Sequence, residues 1–134
     1  MRPTPSQTIG PFFAVALGRE EMAADGPLRI EGTVFDGEGS PVPDAYIEAW
    51  DGARFGRCPT DADGRFSFTT VEPDGPYIAV SVFARGLLQR LATRIYLDAD
   101  AAPDPSLVAR AEDGGVRRFD VHLQGEHETV FLAL

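Results

Sequence analysis

The chain has 134 residues, enough for one domain with a single hydrophobic core. Its formal net charge of −9 argues against nucleic acid or an anionic membrane as the main partner, because phosphate groups need a basic face. The single cysteine, Cys58, excludes an internal disulfide and a cysteine-rich zinc site, and a cytoplasmic location is expected. The N-terminus lacks an apolar core and no run of about 18 apolar residues occurs, so neither a signal peptide nor a membrane span is predicted.

Glycine and proline are frequent, with 14 and 11 residues, which favours many short strands joined by turns over a helical bundle. Residues 1–13 contain three prolines and end in Phe12 and Phe13. Proline disfavours regular structure and two exposed phenylalanines are costly in water, so an extended arm docked on the domain is predicted. The alternative is a disordered tail. A short helical turn is predicted over residues 14–24.

Alternation of apolar and polar residues with a period of two predicts the strands. They cover residues 28–35, 42–50, 65–71, 77–84, 93–97, 118–123 and 128–134. Asp104 followed by Pro105 predicts the start of a helix. Short strands at this spacing predict an all-β fold, an antiparallel β-sandwich. The chain is expected to be a single domain, with residues 28–134 as the sandwich core and residues 1–27 as arm and connector.

The strand over residues 77–84 is the centre of the predicted fold. Both of its faces are largely apolar, as is typical of a strand inside a two-layer β structure. One face carries Tyr77, Ala79, Ser81 and Phe83, and the other carries Ile78, Val80, Val82 and Ala84. A loop over residues 86–90 is predicted to lead into the next strand as a hairpin.

Few residues suit a metal. His122 and His127 are expected to be solvated, since a zinc site needs three or four ligands held together. Asp61 and Asp63 precede Gly64 as at the front of a calcium loop, but the bidentate glutamate at loop position 12 is missing, so a hairpin turn is the better interpretation.

Arg85 directly follows the central apolar strand. Its guanidinium could extend to solvent over its apolar stem. It could equally present a bidentate fork to a carboxylate at a cleft. The residues alone leave both interpretations open.

Three stretches together resemble one family. They are TPSQTIGPF at residues 4–12, VSVFARG at 80–86 with TRIYL at 93–97, and RFDVHLQGE at 118–126 with ETVF at 128–131. The sequence resembles the intradiol ring-cleaving dioxygenases, and within them the alpha subunits of the protocatechuate 3,4-dioxygenases. The resemblance runs from residue 4 to residue 134 and implies a β-sandwich fold.

The resemblance also carries expectations about iron. The family uses non-haem Fe(III) held by two tyrosines and by two histidines arranged as His-x-His, and in alpha/beta members only the beta chain binds it. Here Tyr77 and Ala79 lie where the histidine pair would fall, and the loop of the first tyrosine is shortened to residues 53–56. Alternatively, Tyr77 could align with the second tyrosine ligand, because it follows Gly75 and Pro76 as that ligand does in the family. Whether Tyr77 is aligned with a histidine or with this tyrosine, the set of four iron ligands stays incomplete. No cofactor and no catalytic residue are therefore expected in this chain, and Fe(III) is expected only in a partner.

By the same resemblance, the substrate-pocket residues of alpha chains correspond to Thr8, Gly10, Pro11 and Arg85. An arginine there suits the carboxylate of an aromatic acid. The implied partners are an iron-bearing beta-like subunit, or self-association, and an aromatic carboxylate substrate.

Three functional hypotheses follow. In the first, the chain is an alpha-like component of an intradiol dioxygenase that supports an iron-bearing chain and is not catalytic alone. In the second, it is a free-standing, non-catalytic sandwich that binds a ligand or partner, since the pattern from Gly32 to Phe66 also resembles transthyretin-like and carboxypeptidase-regulatory modules. In the third, a homodimer assembles an iron site from dispersed side chains, namely Tyr46, Tyr77, Tyr96, His122 and His127.

Overall fold

The computed structural model describes residues 18–84, 90–125 and 128–132. Within these ranges the strands are β1 (Leu28–Phe35), β2 (Ala45–Trp50), β3 (Phe55–Pro59), β4 (Arg65–Thr70), β5 (Tyr77–Ala84), β6 (Leu91–Tyr96), β7 (Arg110–Glu112), β8 (Val116–Arg118) and β9 (Val121–His122). Two single turns of 3₁₀ helix cover Pro105–Leu107 and Asp113–Gly115. No helix in the described ranges has the length and apolarity needed to cross a bilayer.

The strands form two sheets that pack as a β-sandwich, as predicted. One sheet has the order β4-β1-β8-β7, with β9 also paired to β1, and the other has the order β3-β2-β5-β6. Pairing is antiparallel except that β8 and β9 both run parallel to β1. These parallel pairs were not predicted, and they arise because the chain crosses over through residues 97–115 before it returns to β1.

The core lies between the sheets and is built from alternate residues of each strand. One sheet contributes Ile30, Val34, Phe66 and Phe68, and the other contributes Ile47, Ile78, Val82 and Ile95, all of which are 3% exposed or less. Strand β5 is hydrogen-bonded on both sides, to β2 and β6, which confirms it as a central strand. Its even-numbered residues face the core and its odd-numbered residues are half-buried on the outer face.

Aspartates hold several connections, as their turn chemistry predicts. The Asp61 carboxylate accepts hydrogen bonds from the backbone N–H groups of Asp63 (2.8 Å) and Arg65 (2.9 Å), which confirms a turn between β3 and β4. The predicted hairpin is wrong, because β3 and β4 lie in different sheets and the turn joins the two sheets. Asp104 accepts the backbone N–H of Ser106 at 2.9 Å and caps the 3₁₀ turn.

Several predictions about elements were wrong. Strands β3 and β7 were missed, because β3 contains glycine and ends in proline, while β7 is three exposed residues. Residues 18–24, the described part of the predicted helical turn, are not helical. There Glu20 and Arg57 exchange backbone hydrogen bonds of 2.8 Å, so this segment covers the edge of β3. The predicted last strand is reduced in the described part to a bridge between Leu132 and Ala92.

Gly32 lies at a point where β1 has no room for a side chain. A Cβ atom there would overlap the carbonyl of Phe119 and would lie 2.7 Å from Cζ of Phe66. This close approach lets the Phe119 N–H donate to the Glu31 carbonyl at 2.8 Å, which anchors the return of the chain to β1.

We expect Gly32→Ala to lower the free energy of unfolding by about 1–3 kcal/mol, because the neighbouring backbone must shift to admit the methyl group. Urea unfolding followed by circular dichroism measures the change. Gly75→Ala is the matched control, since a Cβ there meets nothing within 4 Å. If the two variants unfold at the same urea concentration, Gly32 is not a tight contact.

The short connection between β2 and β3 is held by Asp51, whose side chain is 1% exposed. Its carboxylate accepts the backbone N–H groups of Ala53 (2.9 Å) and Arg54 (2.7 Å), and Nη1 of Arg54 lies 3.3 Å from Oδ2. Burial alone would raise the pKa of Asp51, but these backbone hydrogen bonds and the Arg54 guanidinium together lower it below its ordinary value.

Asp51 therefore contributes stability that depends on pH. Because its folded-state pKa is lowered, the contribution is complete above the ordinary pKa of 3.8 and is lost as the pH falls towards the folded-state pKa. We expect Asp51→Ala to cost about 1–3 kcal/mol at neutral pH and less at about pH 3. Urea unfolding at both pH values tests this, with exposed Asp74→Ala as control. A cost that does not shrink in acid would contradict the assignment.

Candidate functional site

The predicted pocket residues Thr8, Gly10, Pro11 and Arg85 lie outside the described residues, as does His127. Their pocket role stays a prediction. The structure does describe the strand that leads to Arg85, because β5 ends at Ala84, which is buried and pairs with Ala45.

Tyr77 and Ala79, the positions predicted to correspond to the family's histidine pair, lie on the outer face of β5. We call this outer side of the sheet β3-β2-β5-β6 the aromatic face. Across the strands, Ala79 pairs with Trp50 of β2 on one side and with Arg94 of β6 on the other. Trp50 in turn pairs with Phe55 of β3. Residues paired in this way share a face, so one row of the aromatic face reads Phe55, Trp50, Ala79, Arg94.

Arg94 and two tyrosines form a compact group beside this row. The Arg94 guanidinium carbon lies 4.2 Å from the centre of the Tyr77 ring, within the range of a cation–π interaction. Tyr77 pairs with Tyr96, and their ring centres are 5.5 Å apart. A hydrogen bond with the Tyr96 side chain raises the pKa of Arg94, so the group carries a permanent positive charge.

A second polar group lies at the other end of the aromatic face. Nη2 of Arg57 lies 2.8 Å from Oε1 of Glu20, and this hydrogen bond, followed by one with Tyr46, raises the pKa of Arg57. Tyr46 is 2% exposed, and burial raises the pKa of its hydroxyl. Tyr46 is therefore a neutral, packed tyrosine.

These residues do not fit the iron of the family. Ala79 has no donor atom, and the Tyr77 ring lies under the Arg94 cation, which would repel a metal ion. Within the described ranges, no three histidine, cysteine, aspartate or glutamate side chains come together as a metal site. The His122 ring stacks on the Phe35 ring, and the two ring centres are 5.0 Å apart.

A polar cleft of about 490 Å³ on the outer side of the other sheet is a weaker candidate. Nη2 of Arg19 and Nη2 of Arg29 both donate to Oγ of Ser67, at 3.0 and 3.1 Å. Glu21 pairs with Arg19 at 2.7 Å and Glu31 with Arg29 at 2.6 Å. Arg19 and Arg29 are thus each ion-paired, which is typical of a solvated face.

Cys58 borders the same cleft and accepts a hydrogen bond from Nη1 of Arg19 at 3.1 Å. Burial raises the pKa of the Cys58 thiol. A protonated, buried thiol is a poor nucleophile, so this cleft supplies no covalent chemistry.

Sequence reasoning missed Trp50 and Arg94 as residues of the site. Both were available as signals, because Trp50 is the single tryptophan and Arg94 is a charge within a predicted strand. The sequence does not give the register in which β5 pairs with β2 and β6, and this register places both residues beside Ala79.

Comparison with known proteins agrees with this fold. Residues 29–110 match the family of carboxypeptidase regulatory-like domains. The protocatechuate 3,4-dioxygenase alpha chain of Burkholderia cepacia is 34% identical over 191 aligned positions, covering 98% of this chain and 97% of the relative. The alpha chain of Pseudomonas putida is 31% identical over 192 positions, covering 96% and 94%. Both alignments are longer than the 134 residues of this chain, so they contain gaps against it.

A solved structure shows the same fold. The dioxygenase domain of a dioxygenase carbohydrate-binding protein fusion from Streptomyces sp. SirexAA-E superposes with a TM-score of 0.61 at 24% identity, covering 92% of this chain and 99% of that one. The chain therefore belongs to the intradiol dioxygenase family, as an alpha-chain-like member whose central part is a carboxypeptidase regulatory-like domain.

Proposed function

We propose that this chain is a non-catalytic, alpha-type subunit that supports the substrate pocket of a separate, iron-bearing intradiol dioxygenase chain. One observation carries the proposal. The two outer-face positions of β5 that would hold the histidine pair carry Tyr77 and Ala79, and Arg94 adds a positive charge beside them.

The pocket contribution comes from Thr8, Gly10, Pro11 and Arg85. Glycine and proline let backbone approach a ligand closely, and arginine binds a carboxylate with two parallel hydrogen bonds. The substrate class is an aromatic carboxylate with adjacent hydroxyl groups, of the protocatechuate kind named in the relatives.

A cytoplasmic setting belongs to the same proposal. It is supported by Cys58, the single cysteine, which is a free thiol.

A second function is favoured by one observation, the match of residues 29–110 to carboxypeptidase regulatory-like domains. Under it the chain is a free-standing module that binds a ligand or partner without redox chemistry. A stable complex with an iron-bearing intradiol chain would decide for the first function.

An iron site shared across a homodimer has little support. It would need accessible tyrosines, but Tyr46 and Tyr96 are 2% and 4% exposed. Tyr77 is engaged by Arg94.

We expect the isolated chain to bind no ferric iron, because the ligand set is incomplete. Metal analysis and a visible absorption spectrum after incubation with iron test this. An iron-bearing intradiol chain treated in the same way is the positive control. Stoichiometric iron with a tyrosinate-to-Fe(III) charge-transfer band in this chain would refute the proposal.

We expect Arg85→Ala to lower kcat/KM of the reconstituted complex for a carboxylated catechol by about one to two orders of magnitude, because a charge-assisted hydrogen bond contributes about 1.5–3 kcal/mol. Plain catechol is the matched substrate control, since it lacks the carboxylate and should react equally with both complexes. Arg65→Ala, at an exposed arginine of β4, is the variant control. An equal loss on both substrates would assign Arg85 to assembly instead.

A further inference from the structure

Residues 19–23 connect the edges of the two sheets, and we call them the N-terminal strap. Strand β3 is the edge of one sheet and β4 is the edge of the other, and the strap is hydrogen-bonded to both. The chain before Gly18 lies outside the described residues and includes the predicted pocket residues Thr8, Gly10 and Pro11. The strap is therefore the described segment to which that arm is attached.

The strap is held on β3 by backbone pairing. Glu20 and Arg57 exchange two backbone hydrogen bonds of 2.8 Å in an antiparallel bridge. Nη2 of Arg57 also donates to Oε1 of Glu20 at 2.8 Å. One residue earlier, Nη1 of Arg19 donates to Sγ of Cys58 at 3.1 Å, in agreement with the same register. The strap therefore runs beside β3 in the opposite direction.

The same segment is fixed to β4 and to the core. Oε1 of Glu21 accepts the backbone N–H of Thr69 at 2.6 Å, and Ala23 donates its N–H to the Thr69 carbonyl at 2.9 Å. Met22 is 7% exposed and belongs to the core cluster. The glycine at position 56 makes room for it, since a Cβ atom on Gly56 would lie 2.7 Å from Cγ of Met22. Both sheets thus hold the strap in place.

This attachment gives the arm a direction. Because the strap is antiparallel to β3, the chain traced towards its N-terminus runs towards Pro59, and the register of the bridge brings Gly18 opposite Pro59. Pro59 pairs with Tyr46 of β2, and Tyr46 pairs with Phe83 of β5. The row that begins at Gly18 therefore crosses the sheet to the last residues of β5, just before Arg85.

The arm is long enough to follow this direction. Adjacent strands are about 4.8 Å apart, so the three steps from the strap to β5 span roughly 14 Å. Pro11 and Gly18 are seven residues apart, and an extended chain of that length covers roughly 23 Å. From the other end of the sandwich the arm would also have to cover the length of β5, about 26 Å, which exceeds this reach.

Gly18 lies where the strap meets the arm, and its conformation is one that few other residues adopt. Its φ is +70°, and no atom of the described residues lies within 4 Å of a Cβ built there. Glycine is therefore favoured at this position by the backbone and not by a lack of room. A residue that avoids the left-handed region would change the direction in which the chain leaves the strap.

We propose that the N-terminal strap and Gly18 are positioning residues for the substrate pocket. The strap anchors the arm to both sheets, and the left-handed turn at Gly18 directs the arm to the end of β5 that precedes Arg85. This inference rests on the proposed function, and it assigns the placement of the pocket residues to residues outside the pocket. A strap that only covered sheet edges would not depend on the turn at Gly18.

Variants of the full chain test the turn. Gly18→Val disfavours a positive φ, whereas Gly18→Asn tolerates it. Gly114→Val is the matched control, because Gly114 has a φ of +75° and a Cβ there also meets no described atom within 4 Å. Its neighbour Gly115 lies against Pro27, just before β1 begins, so the control is at the opposite end of the sandwich from Ala84.

We expect Gly18→Val to lower kcat/KM of the reconstituted complex for a carboxylated catechol by about 10- to 100-fold, because small misplacements of a binding group have effects of this size. Gly18→Asn, the conservative replacement, should retain most of the activity. Gly114→Val should match the wild type. Equal activity of Gly18→Val and Gly114→Val would overturn the proposal.

Hydrogen exchange measured by mass spectrometry separates placement of the arm from stability of the sandwich. In the wild-type complex, peptides from residues 4–13 should be protected relative to the isolated chain. Gly18→Val should remove that protection and leave exchange in the strap and β5 as slow as in the wild type. Arm protection that survives Gly18→Val contradicts the proposal. Faster exchange throughout the core also contradicts it, because the variant would then act through stability.

The outcomes distinguish this inference from the proposed function. If the wild-type chain neither binds the iron-bearing chain nor changes its turnover, both fail. If Arg85→Ala lowers turnover of the carboxylated substrate and Gly18→Val does not, the proposed function stands and the strap is only structural.

Discussion

Strand β5 is hydrogen-bonded along both edges, to β2 and to β6, and this double pairing fixes which of its side chains face the core. A slip of one residue would exchange the two faces and expose Ile78 and Val82. Because the core depends on this register, Tyr77 and Ala79 are held on the outer face whatever chemistry they carry. The two positions predicted to correspond to the family's histidine ligands are therefore fixed on the outer face by the packing of the core, and the residues there do not suit a metal.

Side chains at and beside those positions link the strands on this face. A metal would link side chains of several strands, whereas here Arg94 lies 4.2 Å from the Tyr77 ring and Tyr77 packs on Tyr96. These contacts join β5 to β6 by a cation–π interaction and an aromatic pair. These side-chain contacts therefore support the pairing of β5 with β6 on the outer face.

Much of this fold could be predicted from the sequence, because its long strands alternate with a clear period. The bounds of β1 and β5 agree with the predicted ranges, and the aspartate turn at Asp61 was recognised from side-chain chemistry. Strand β3 could not be recognised, since its sequence FGRCP has weak strand propensity and it forms through pairing with β2. The site could be located only in part, because cross-strand neighbours such as Trp50 and Arg94 are set by register and not by distance along the chain.

The outer faces of the two sheets carry different kinds of side chain. On one face, neighbouring ion pairs such as Arg29 with Glu31 satisfy charges within the chain, so water can cover it at little cost. On the other face, Trp50 remains 48% exposed beside the small Ala79, although a bulkier residue there could have shielded it. An exposed indole costs free energy in the isolated chain, and that cost is recovered when another surface covers it. The exposure of Trp50 thus agrees with the proposed role of this chain as a subunit.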